Sequence, residues 1–302
     1  MIILNNAKTA KIFMIVSMII FGSIALFVRK INLSSGEIAL YRALLAVSII
    51  GAFLLFKKKE KINISKKDLI LLFASGMFMG LNWIFLFEAY KYTTVSIATL
   101  SYYFAPIIVT LICPIILKEK MKFKNWICFT MSTVGIVLIT GLGESNHNNH
   151  IIGILFGLTA AILYASVILI NKCIKTVDGI YRTFLQFIAA IIILLPYVLV
   201  TSGININSLT STGWINLIIV GVVHTGITYC LYFISLKDLK GQTVAILSYI
   251  DPLVAIFLSI VILKEPMNFL QIVGGILILV FTLINEISLK KIFKERNKDE
   301  KE

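Results

Sequence analysis

Ser101-Tyr102-Tyr103-Phe104-Ala105-Pro106 runs on to Leu117-Lys118-Glu119, and the pattern occurs twice. The second copy is Ser248-Tyr249-Ile250-Asp251-Pro252, which runs on to Leu263-Lys264-Glu265. The spacing from proline to Lys-Glu is the same in both copies, with a one-residue slip ahead of the proline. Weaker echoes flank the blocks. Ser96-Ile97-Ala98-Thr99-Leu100 resembles Thr243-Val244-Ala245-Ile246-Leu247, and Glu37 to Tyr41-Arg42 resembles Asp178 to Tyr181-Arg182. Two related halves within one apolar chain are the usual signature of a secondary transporter, in which one repeat moves against the other.

Composition forces a membrane reading. Hydrophobic residues make up 59% of the 302-residue chain and charged residues 14%, against roughly 25% charged residues in soluble domains. A bilayer core of about 30 Å needs about 20 apolar residues per helix. Such segments are expected near 12–30, 36–56, 69–90, 94–117, 124–143, 151–171, 180–200, 213–236, 241–263 and 268–289. The expected fold is an all-α integral membrane protein with ten transmembrane helices. Its expected units are a first five-helix repeat over 1–145, a second over 150–290 and a basic cytoplasmic tail over 291–302. No clear small-x-small site follows the first span, so it reads as a helix and not as a cleaved leader.

The net charge of +13 follows topology. With a cytoplasmic N-terminus and alternating spans, Lys57, Lys58, Lys59, Lys61, Lys66, Lys67, Lys118, Lys120, Lys122, Lys124, Lys172, Lys175, Lys237, Lys240 and the tail all fall inside. Arg29, Lys30, Lys91 and Lys264 fall outside. This is the positive-inside bias, and it predicts both termini in the cytoplasm and a location in the cytoplasmic membrane. The basic charge therefore points to lipid head groups and not to nucleic acid. Five spans per half is an odd number, so the second half enters from the opposite side. Inverted repeats of this kind place a substrate site near the midplane.

The two proline blocks, the Tyr-Arg pairs and the stretch from Asn82-Trp83 to Ala89-Tyr90 resemble the drug/metabolite transporter superfamily, in particular its EamA-type ten-helix members. The resemblance covers nearly the whole chain. It implies a basket-like bundle with a central cavity, alternating access, and small-molecule substrates that include amino acids, other metabolites, quaternary ammonium compounds and drugs. Transport is commonly outward and often proton-coupled. It also implies a site between spans 1, 3, 4, 6, 8 and 9.

Polar residues within apolar spans are costly and tend to be functional. Asp251, just before Pro252, is the first candidate for proton or cation handling; the alternative is a locally bonded carboxyl that shapes the kink. Glu88 is either a gate group facing Arg42 or a surface partner of Lys91 three residues on. Arg42 and Arg182 either recognise a carboxylate or extend to the interface. His224 either relays protons or bonds a neighbouring helix. Asn82, Trp83, Tyr102, Tyr103, Tyr164, Tyr229 and Tyr249 lie inside their spans, where aromatics line a cavity or simply pack. Gly76-x-x-x-Gly80 and Gly153-x-x-x-Gly157 read as close-contact faces, and Pro106, Pro114 and Pro196 as kinks or helix ends. The cysteines have no metal spacing, and His147-x-x-His150 makes an incomplete metal site. No cofactor is expected.

No P-loop, G-x-S-x-G or HExxH motif is present, which weighs against a membrane enzyme or an ATP-driven pump. A passive channel stays open, since kinked helices also line pores. The leading expectation is export of an amino acid or related metabolite, with organic cations or drugs second. One chain supplies both halves, so a monomer would suffice.

Overall fold

The computed structural model describes residues 7–56, 64–117, 123–140, 147–177, 179–236, 238–239 and 241–299. The Lys118-Glu119 turn, Asp178, Lys57, Lys58, Lys59, Lys61, Lys120, Lys122, Lys237, Lys240 and Lys301 lie outside these residues. Among the described residues the secondary structure is helical throughout. The helices are α1 Ala7–Val28, α2 Ser35–Leu55, α3 Lys66–Tyr92, α4 Val95–Tyr102, α5 Ala105–Leu117, α6 Phe123–Ile139, α7 His147–Cys173, α8 Gly179–Thr201, α9 Ser211–Ile218, α10 Thr228–Leu236, α11 Gly241–Ser248, α12 Ile250–Val261 and α13 Phe269–Asp299. A π-helical stretch, Ile219–Ile227, joins α9 to α10. Helix α13 continues to Asp299, so most of the segment expected to be a tail prolongs the last helix.

Seven helical stretches in the described residues are long and apolar enough to cross a bilayer, and three shorter apolar helices accompany them. This is a multi-pass membrane protein. Large apolar side chains such as Leu155, Ile162, Leu199, Leu253 and Phe257 point outward. Exposed apolar surface of this extent suits hydrocarbon and not water.

The two proline blocks break their helices. Chain geometry disfavours helix before a proline, whereas the first turn of a helix tolerates proline, because an N–H there would have no intrahelical acceptor to lose. Thus Pro106 is the second residue of α5, after a break at Tyr103-Phe104, and Pro252 is the third residue of α12, after a break at Tyr249. The one-residue slip between the sequence blocks reappears as one extra residue in the first break. Pro196 does not end its helix: α8 runs through it.

Helix starts carry side-chain caps. Ser34 and Glu37 form a capping box at α2, and Ser65, Thr94 and Thr210 cap α3, α4 and α9. Each supplies an acceptor to an N–H that the helix itself leaves unpaired.

The halves interleave. Helix α3 packs on α7 and α8, and α1 packs on α10, α12 and the π-helical stretch. Helix α2 packs on α8 and on the π-helical stretch, α4 on α7 and α12, and α6 on α13. Gly76 and Gly80 press against α8 at Gln186, Ala189, Ala190 and Leu194, while Gly153 and Gly157 press against Thr93, Ala98 and Ser101. At the first turn of α3, Asp68 accepts hydrogen bonds from the Thr176 N–H (2.9 Å) and Thr176 hydroxyl (2.6 Å), which ties α3 to the α7–α8 connection.

Candidate functional site

A cavity of about 340 Å³ lies where α1, α2, α3, α4, α5, α7, α10, α11 and α12 meet. It is built around the two helix breaks: Tyr103, Ala105 and Pro106 reach it from the first, and Ser248 and Asp251 from the second. Chain ends at a break expose backbone groups that a continuous helix would satisfy, so such a place is polar without added charge. A second hollow of about 410 Å³ on α3 is lined only by Leu69, Ile70, Phe73, Ala74 and Met77. It offers nothing to orient a polar ligand, and its exposed apolar residues suit lipid.

Asp251 sits in the first turn of α12, where helix N–H groups favour a carboxylate. Its Oδ2 accepts a hydrogen bond from the Tyr103 hydroxyl at 2.8 Å. The other half has Ala105 next to its proline, so this charge has no mate. Helix α1 approaches closely here: a Cβ on Gly22 would overlap the Asp251 carbonyl oxygen and lie 2.9 Å from Val254 Cβ.

Arg42 does not extend to the interface. It is buried, with its guanidinium carbon 4.4 Å from the Trp83 ring centroid and 5.4 Å from that of Phe87. Such stacking attracts a cation through the ring quadrupole while covering its faces. Its Nε donates to Thr225 Oγ1 at 3.1 Å. Among the described residues neither Nη group has a hydrogen-bond acceptor, and Arg42 lines the cavity. Arg182, its counterpart in the repeated Tyr-Arg pair, has another fate. It donates to the carbonyls of Val177 (2.9 Å), Asn171 (3.0 Å) and Ile174 (3.3 Å), closing the end of α7.

Tyr102, Tyr103, Tyr164 and Tyr229 all line the cavity. Tyr102 lies 5.3 Å from Tyr164 and 6.1 Å from Tyr103 between centroids. Asn82 and Trp83 also reach the wall. Asn82 spends a donor on the Ala160 carbonyl at 2.6 Å, joining α3 to α7, and Trp83 packs edge-on against Phe187.

Three candidates lie off the wall. His224 is buried between helices, 3.0 Å from Ser23 Oγ and beside the Phe27 ring. Tyr249 is packed behind Tyr103, with ring centroids 6.1 Å apart. Glu88 pairs with Lys91 at 3.0 Å on an accessible surface, away from Arg42. Sequence reasoning did not single out as site residues Phe21, Tyr90, Thr99 or Tyr232, all on the wall. Tyr232 was within reach, since it stands one turn beyond Tyr229; Phe21 has no polar signal at all. Among the described residues no cluster of three or more His, Cys, Asp or Glu side chains forms.

The profile of the EamA-like transporter family matches residues 8–141 and again 151–286. The chain belongs to that family. It is thereby a member of the drug/metabolite transporter superfamily. A relative in Bacillus subtilis (strain 168), named "Uncharacterized transporter YxxF", is 33% identical over 91% of this chain and 88% of its own length. A Clostridium kluyveri protein named "Uncharacterized transporter" is 26% identical over 87% of this chain and 88% of its own. The mouse protein "Solute carrier family 35 member G1" is 25% identical over 54% of this chain and 48% of its own. A solved crystal structure shares the fold at a TM-score of 0.64, with 14% identity, over 94% of this chain and 99% of that one. The cavity of this EamA-family chain is thus set in a fold carried by proteins named as transporters.

Proposed function

We propose that this chain is a secondary transporter of the cytoplasmic membrane that exports a small carboxylate-bearing metabolite, an amino acid or a related compound, by alternating access. The observation that carries the reading is Arg42: a buried guanidinium, stacked on Trp83 and Phe87, with both Nη groups left for a ligand in the cavity that also holds Asp251. A guanidinium fork matches the two oxygens of a carboxylate. Asp251 and the tyrosine rings suit an ammonium group. A simple organic cation would meet Asp251 but would also meet the charge of Arg42, which favours a dipolar substrate over a purely cationic one.

The proposed architecture is ten spans in two inverted five-helix repeats, with both termini cytoplasmic. The helix pairings support it, because they come in exchanged pairs. The packing of α3 on α7 mirrors that of α10 on α1; α3 on α8 mirrors the π-helical stretch on α2; α5 on α7 mirrors α12 on α1. In this topology the Arg29–Glu265 ion pair lies on the outer side. Arg29 Nε also donates to the carbonyl of Tyr90, a wall residue, at 3.0 Å, so the pair would close the outer end of the cavity. Asp251 is the proposed proton-handling group.

The test is counterflow in proteoliposomes loaded with single labelled L-amino acids. Saturable counterflow that Arg42→Lys weakens supports a carrier with a carboxylate site. Flux without counterflow would point to a channel, and no flux of any amino acid would remove the substrate assignment.

A further inference from the structure

We infer that Thr225 is a positioning residue for Arg42, held in place by the π-helical stretch, and that it fixes which edge of the guanidinium a carboxylate meets. The inference takes its substrate class from the function proposed above. A guanidinium can receive a carboxylate on two edges, the Nε/Nη side or the Nη/Nη end. Here the Nε–H is already donated to Thr225 Oγ1 at 3.1 Å. The side-on edge is therefore occupied and the end-on fork is left. Stacking on Trp83 and Phe87 restrains the plane of the group; the Thr225 bond restrains its rotation within that plane.

Thr225 can act only as the acceptor. Its single hydroxyl hydrogen is donated to the Val220 carbonyl at 2.8 Å, five residues back. An α-helical carbonyl pairing would be four back; the five-residue reach belongs to π-helix, a rare geometry often found at functional sites. Thr228 does the same toward Val223 at 2.7 Å. The stretch is also brought onto the helix that carries Arg42. Positions where Cβ atoms of Gly221 and Gly226 would stand lie 2.6 Å from Leu45 Cβ and 2.8 Å from Ile49 Cβ, both on α2. Only glycine lets α2 and the π-helical stretch approach this far. Arg182, from the matching Tyr-Arg pair, has its Nε and both Nη groups on carbonyls, so the offered fork is particular to one half.

The test uses full-length protein with 15N-labelled arginine, the Arg42→Lys variant assigning the Arg42 Nε–H resonance. Thr225→Val is expected to shift or broaden that resonance and Thr225→Ser to keep it. With L-phenylalanine as probe, Thr225→Val is expected to raise KM about tenfold, the scale of one hydrogen bond to a charged group, while Vmax holds; phenethylamine, which lacks the carboxylate, should show no such difference. If Thr225→Val does not fold, Thr225→Ala serves in its place. An unmoved Nε–H resonance, or an unchanged KM for L-phenylalanine, overturns the inference. If wild type neither binds nor moves L-phenylalanine, phenylalanine falls as a substrate, and the resonance still decides the role of Thr225.

Discussion

Arg29 and Glu265 join the C-terminal ends of α1 and α12 through an ion pair that also holds α3 and α4. Besides Arg29, Glu265 accepts from the Val95 N–H at 2.9 Å and from the Ser259 hydroxyl. Besides Glu265, Arg29 donates to the carbonyls of Tyr90 (3.0 Å) and Thr93 (2.7 Å). Lys264 takes a left-handed backbone conformation, φ 55°, in the turn that brings Glu265 back beneath α12.

Loss of this carboxylate strands several donors at once. Glu265→Ala is expected to cost about 1–3 kcal/mol of stability, the range for leaving partners of a semi-buried charge unpaired. Thermal unfolding in detergent checks it. The charge swap Arg29→Glu with Glu265→Arg should not restore stability, because an arginine cannot accept from Val95 and a glutamate cannot donate to Tyr90 and Thr93. Full recovery by the swap would reduce the contact to simple charge attraction.

Gly22→Ala should impair the protein although it adds one methyl group. The new Cβ would overlap the Asp251 carbonyl, which is backbone and cannot swing aside. Overpacking of this kind typically costs about 1–3 kcal/mol. A melting temperature and flux equal to wild type would show that α1 and α12 separate freely at this point.

Asp251→Asn keeps size and shape but cannot carry a proton. Under the proposed coupling, transport by this variant loses its dependence on the proton gradient. Tyr103→Phe, which removes the 2.8 Å bond to Asp251, should shift the pH profile without abolishing transport. Full, equally pH-dependent transport by Asp251→Asn would rule out Asp251 as the coupling group.

Arg42 and Arg182 separate recognition from structure. Arg42→Lys should raise KM for a carboxylate substrate, since an ammonium cannot keep both the Thr225 bond and a two-donor fork. Arg182→Gln should instead lower thermal stability, by about 1–3 kcal/mol for the carbonyls left unpaired at the end of α7 and just beyond it, and leave KM unchanged. Measuring both quantities for both variants distinguishes the roles; equal effects on KM would contradict them.

Much of the fold could be read before any coordinates. Crossing a bilayer is a one-dimensional demand, a run of apolar residues about 30 Å long, so hydropathy located the helices. The prolines marked the two breaks because the cause, a missing N–H, is local. The candidate site was legible only where a residue was out of place in its span, as Asp251, Arg42, Asn82 and the inner tyrosines are. Phe21 and Thr99 gave no such sign.

By itself, then, the sequence determined the membrane class, the duplication and the helix breaks, since each follows from local composition or chain chemistry. Only the tertiary structure decided that Arg42 enters the cavity while Arg182 closes a helix end. The two share a Tyr-Arg pair and differ in what surrounds them. It alone revealed the π-helical stretch as well, with its hydroxyl bonds five residues back and its close approach to α2 at Gly221 and Gly226. Side-chain roles inside a bilayer depend on which partners other helices bring, and that is a property of packing in three dimensions.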